Sequence, residues 1–148
     1  MSNRRPKGPR HAFHVLVVEN DEQALAITEM VLKGEGADYT VARDVATGLA
    51  IFAATRPDAV VIGSTVGGVD CFDVIAQMRV HHVRRRPPAA VVLSSDLAPI
   101  DARKAAAAGF IGVLGRPLSI PAVAAAIRGL YRIVHRRALA RAKLDSTT

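Results

Sequence analysis

Cysteine is nearly missing from this chain: Cys71 stands alone among 148 residues, which excludes an intramolecular disulfide and any zinc site built on paired thiolates. Tryptophan is absent and aromatic residues make up only 4% of the sequence, so stacking surfaces for nucleic-acid bases are scarce. No apolar stretch is long and charge-free enough to span a bilayer. The Arg4-Arg5 pair is followed only by the short run Val15 to Val18 before Glu19, Asn20 and Asp21 interrupt it, which does not make an export signal. The setting expected from these features is cytoplasmic, without membrane insertion. Acidic residues are outnumbered, 13 against 20 lysines and arginines, giving a net charge of +7 and a pI of about 10.5. That balance attracts acidic partners without specifying one.

Half of the residues are hydrophobic, enough for one folded domain with a buried core. Residues 1 to 10 are basic, contain Pro6 and Pro9, and read as a disordered arm. A domain is expected from 11 to 130, and a basic helical extension and tail from 131 to 148. Within the domain, short runs without polar alternation predict strands at Val15 to Val18, Tyr39 to Ala42, Ala59 to Ile62, Ala90 to Leu93 and Ile111 to Leu114. Strands of that kind belong to a parallel sheet covered on both faces.

Helical periodicity fills the gaps. The first helix carries Ala24, Ile27 and Val31 on one face, with Gly34 as its expected C-terminal cap. Asp44 is the expected N-cap of the second, with Val45, Leu49 and Phe52 on one side. The third is expected from about Asp70 to Arg79. The fourth is expected from near Pro99 to Gly109, and the fifth after Ser119 with an apolar stripe of Val123, Ile127, Leu130 and Val134. Five βα units predict a doubly wound, flavodoxin-like sheet of order 2-1-3-4-5, whose crevice opens at the carboxyl ends of strands one and three.

Val15-Leu16-Val17-Val18-Glu19-Asn20-Asp21-Glu22, Pro57 to Phe72, Val91 to Ser95 and Ala108 to Leu118 together, in this order and spacing, resemble the bacterial response-regulator receiver family. The resemblance implies a role in two-component or phosphorelay signalling. It also implies an acceptor aspartate at position 63, where Gly63 stands, and a second acid at position 20, where Asn20 stands. Ser94 matches the family's hydroxyl residue, Arg116 replaces its lysine, and Pro117 follows a peptide bond expected to be cis. Val113 occupies the place of a switch aromatic. Glu19 and Asp21 keep the acidic character of the first loop.

Phosphotransfer to such a site needs a carboxylate nucleophile and a Mg²⁺ ion held by charged oxygens. A degenerate phosphorylation site is therefore expected at Glu19, Asn20, Asp21, Gly63, Ser94, Arg116 and Pro117, with no catalytic residues, no resident cofactor or metal, and no enzymatic activity. Two readings of Arg116 are open: an ion pair with Glu19 or Asp21, or a loop arginine facing solvent. Ser64 should face away from position 63, and Asp70 is expected to cap the third helix. The histidines show no metal-ligand spacing and read as loop or surface residues, and Gly67-Gly68 reads as a turn.

The function expected is a stand-alone pseudo-receiver that binds protein partners without being phosphorylated. Such partners are a histidine kinase, a phosphotransfer domain or another regulator, with a possible homodimer through the fourth helix, fifth strand and fifth helix. The alternative is a nucleic-acid-associated regulator that uses Arg132, Arg136, Arg137, Arg141 and Lys143 for nonspecific phosphate contact.

Overall fold

The structure is a computed structural model that describes residues 13–81, 88–94 and 100–146. The expected basic arm at 1 to 10, the arginines at 84 to 86 and Pro99 lie outside the described residues. Strands β1 (His14–Val18), β2 (Asp38–Ala42), β3 (Ala59–Gly63), β6 (Ala89–Leu93) and β7 (Phe110–Leu114) form one parallel sheet in the order β2-β1-β3-β6-β7. This is the doubly wound order predicted for the five main strands. A two-residue hairpin, β4 (Thr65–Val66) and β5 (Val69–Asp70), lies between β3 and the third helix. It turns on Gly67 and Gly68, whose φ angles of 58° and 81° suit the tight turns that join antiparallel strands.

Strand alternation divides the core in two. Val15, Val17, Val61, Val91 and Leu93 face α1 (Glu22–Gly34) and α5 (Ile120–Ser146), meeting Leu25, Leu32, Ile127 and Leu130. Leu16, Val60, Ile62 and Val92 face α2 (Val45–Thr55), α3 (Cys71–Val80) and α4 (Ala102–Ala108), meeting Phe52, Ile75 and Met78. The sheet is apolar on both sides because helices cover both sides. Cys71 is fully buried at the start of α3, and burial pushes its thiol pKa up to about 11, so it is an inert core residue.

Asp44 and Asp70 cap α2 and α3 as expected, accepting from the Thr47 and Phe72 N–H groups. Three local expectations are corrected. Gly34 is the last helical residue of α1 and not its cap; the left-handed position is Gly36, with φ 74°, where the chain closes through Ala37 N–H to Leu32 O. The fourth helix starts at Ala102, where Asp101 accepts from the N–H groups of Arg103 and Lys104. An aspartate that satisfies two orphan donors is a stronger start signal than a proline upstream. His14, read as a loop or surface residue, is half-buried in β1 and its Nε2 is 2.9 Å from Thr40 Oγ1.

Thr28 is fully buried in α1, and its hydroxyl has no hydrogen-bond partner among the described residues. A buried hydroxyl without a partner loses its hydration and gains nothing. Thr28→Val keeps the shape and removes the polar atom, so it is expected to raise stability by about 1 kcal/mol. Urea denaturation checks this; an unchanged or lower midpoint would mean that the hydroxyl is satisfied.

Candidate functional site

The in-register pairs Val18 with Ile62 and Ile62 with Val92 bring the carboxyl ends of β1, β3 and β6 level. Residues 19, 63 and 94 therefore converge in the crevice, although they are far apart in sequence. Loop residues after β7 complete the rim with Arg116. The Arg116-Pro117 peptide is cis, as the resemblance implied.

Glu19 is the centre of the arrangement. It is only 2% exposed, and its Oε2 accepts the backbone N–H groups of Asn20 at 2.9 Å and Asp21 at 3.1 Å. Its carboxylate folds over Gly63. A Cβ placed on Gly63 would lie 2.7 Å from Glu19 Oε1 and 3.1 Å from Glu19 Cδ, closer than atoms of these types pack. The space that a side chain at position 63 would enter is already taken by Glu19.

Arg116 closes the group from above. Its Nε donates to the Ser94 carbonyl at 3.2 Å, one terminal nitrogen donates to Asp21 Oδ2 at 3.1 Å, and the other reaches Glu19 Oε1 at 3.4 Å. Three acceptors on two loops match the fork of a guanidinium better than the single point of an ammonium. Of the two readings of Arg116, the paired one holds, and it pairs with both acids. Asp21 also accepts from Ala24 N–H, capping α1. That bond is the largest effect on the Asp21 carboxyl and holds it below its usual range; burial, the next largest, opposes it, and the charge and hydrogen bond of Arg116 add to the lowering.

The other expected site residues take lesser parts. Asn20 contributes its backbone N–H and is exposed, while Ser94 contributes its carbonyl and is buried. Ser64 is buried, with its N–H donating to Leu93 O and its carbonyl accepting from Cys71 N–H. Val113 packs, half-buried, against the core on the α2, α3 and α4 side. Sequence reasoning gave Glu19 only as an acid of the first loop; its burial over Gly63 depends on strand register and carries no sequence signal.

The donor set does not suit Mg²⁺. Position 63 offers no side-chain oxygen, Asn20 offers at best a neutral amide, and both remaining carboxylates already face the fixed positive charge of Arg116. A hard divalent cation prefers several charged oxygens in octahedral array.

Among the basic residues expected to meet nucleic acid, Arg132, Arg136, Arg141 and Lys143 are exposed and Arg137 is half-buried. All five lie on α5, which continues across residue 130 without a break to Ser146. Among the described residues no helix is long and apolar enough to cross a membrane.

Comparison with known proteins bears on the whole domain. The family model described as the response regulator receiver domain matches residues 15–128. The receiver domain protein of Clostridium thermocellum is 20% identical, with a TM-score of 0.69 over 85% of this chain and 97% of that one. The CheY-like receiver domain protein of Methanospirillum hungatei is 12% identical, with a TM-score of 0.72 over 86% and 99%. NtrX of Brucella abortus, solved in complex with ADP, is 16% identical with a TM-score of 0.76; the match covers 93% of this chain and 30% of NtrX. These likenesses establish the fold. The search of curated proteins found no significant match.

Proposed function

Because the chain belongs to the response regulator receiver family, we propose that it serves two-component signalling as a pseudo-receiver, binding protein partners without accepting a phosphoryl group. The observation that carries this reading is the Glu19 carboxylate lying where a side chain at position 63 would have to be, held there by Arg116. In a phosphorylated receiver, new negative charge arrives and a cationic residue answers it. Here a built-in carboxylate and a permanent guanidinium hold one arrangement at all times. Such a domain presents a single surface to a histidine kinase, a phosphotransfer domain or another regulator, and competes or scaffolds by occupancy. A homodimer through α4, β7 and α5 belongs to the same reading.

The test is incubation with acetyl phosphate or phosphoramidate and Mg²⁺. No hydroxylamine-labile phosphoprotein is expected, since neither nucleophile nor metal site is complete. Stoichiometric labelling would overturn the reading.

One observation favours a second role: α5 carries Arg132, Arg136 and Lys143 within one exposed side of an unbroken helix. Nonspecific nucleic-acid binding through this side would weaken steeply with salt, through counterion release, and disappear on deletion of residues 136–148. Gel shifts with duplex and single strands at several salt concentrations check it; absence of binding at low salt leaves the protein-partner reading alone.

A further inference from the structure

A cleft of about 510 Å³ opens at the other end of the sheet from the site above, between the turn from α2 into β3 and the last turns of α5. Its walls come from distant parts of the chain. Phe52, Pro57 and Val134 give it an apolar lining, and three arginines line it too, Arg56 at the end of α2 and Arg137 and Arg141 on α5. The volume is within the usual range for small-molecule sites, and the mixture of apolar floor and few charged groups is usual as well.

The charge is unbalanced in favour of an anion. Three arginines line the cleft against two carboxylates, Asp145 and Asp58, the latter accepting the His14 backbone N–H at 2.9 Å, so the lining keeps an excess of positive charge. Among the described residues, neither Arg56 nor Arg141 has an ion-pair partner. Val134 and Arg141 share the side of α5 that carries the buried Ile127 and Leu130 higher up, so this stripe changes from apolar to cationic where it leaves the sheet and enters the cleft.

The backbone at Arg56 adds an independent observation. With φ 49° it is the one non-glycine residue in the left-handed region among the described residues, at the C-cap of α2. Glycine takes that conformation without strain, whereas arginine does not. The conformation closes α2 through the Arg56 N–H to Phe52 O and sets a long cation on the cleft where glycine would serve the turn as well.

We propose that this cleft binds a small organic phosphate, its head group between Arg56 and Arg141 and its apolar body against Phe52, Pro57 and Val134. Guanidinium groups from two separate elements suit a phosphate, whose oxygens point in several directions, better than a planar carboxylate with two. The site is independent of the phosphorylation chemistry discussed above and stands or falls separately from it.

The probe is phenyl phosphate, titrated into the full chain by calorimetry and by amide chemical shifts. Saturable binding is expected with a dissociation constant on the order of a millimolar. Inorganic phosphate and phenol, each lacking half of the ligand, are expected to bind more weakly. Arg141→Ala and Arg56→Gly are each expected to weaken binding by about tenfold. Glycine fits the φ of residue 56, so the second variant keeps the fold. Arg103→Ala, at an exposed arginine of α4 away from the cleft, is expected to bind as the wild type does. No saturable binding by the wild type, or binding by Arg56→Gly and Arg141→Ala as tight as that of the wild type, would overturn the proposal; benzoate binding as tightly as phenyl phosphate would overturn the assignment to phosphate.

Discussion

Gly63→Ala is expected to lower stability by about 1–3 kcal/mol, an unusual cost for adding one methyl group at the end of a strand. Gly63 does not need glycine for its backbone, since its φ lies outside the positive region. The cost comes from the collision with Glu19 Oε1 at 2.7 Å. A flexible side chain can usually swing away from such a contact at little expense. Glu19 is not free to do so, because leaving means giving up two backbone N–H groups and the Arg116 guanidinium. The cause can be isolated by a double-mutant cycle. In a Glu19→Ala background the space is vacant, so adding the methyl group should cost far less, with a coupling of about 1 kcal/mol or more. Denaturation midpoints of the four proteins decide it: additive effects would mean that Glu19 does not occupy the place of the missing side chain.

The same contact bears on attempts to restore phosphorylation. Gly63→Asp introduces a second carboxylate beside a buried one, and like charges in such proximity disfavour each other's ionised form. The single change is therefore expected to destabilise more than Gly63→Ala and to give no phosphorylation. Adding Asn20→Asp supplies another metal ligand but leaves Glu19 in the way. Both the steric and the electrostatic obstacle trace to one side chain.

How far the sequence disclosed this differs between fold and site. Buried parallel strands announce themselves as unbroken apolar runs, since the sheet has helices on both faces, and Val15 to Val18 or Ala59 to Ile62 needed no tertiary information. The Asp44 and Asp70 caps are local chemistry and equally legible. The end of α1 was not: Gly34 and Gly36 are both glycines near the right place, and only the backbone path to Ala37 selects the second. The hairpin at residues 65–70 is too short to produce a periodic signal. At the site, glycine at position 63, where the resemblance implies an acceptor aspartate, can be read from a single letter. What fills the vacancy cannot, because Glu19 reaches Gly63 only when β1 and β3 pair in the observed register.

Arg116→Ala is expected to destabilise the fold by about 1–3 kcal/mol, because the Glu19 side chain it leaves behind is only 3% exposed and loses its cationic partner. The two N–H donors to Glu19 remain, which keeps the loss below that of a wholly abandoned buried charge. Asp21, being 46% exposed, adds little through its own pair. Arg116→Lys should fall between wild type and alanine: an ammonium preserves the charge but cannot serve Ser94 O, Asp21 and Glu19 from three directions. Acid should narrow the Asp21 part of the difference. Its folded pKa is depressed, so the stability it contributes is present above its ordinary value of 3.8 and is lost as pH falls through the lower folded value. The gap between wild type and Arg116→Ala is thus expected to be widest near neutrality and to shrink below about pH 4. Denaturation across that range, with the exposed Arg103→Ala as control, carries the test. A midpoint for Arg116→Ala equal to the control would mean that the guanidinium does not hold the crevice together; the expected loss would mean that its pairing with Glu19 and Asp21 ties the loops after β1 and β7 to each other.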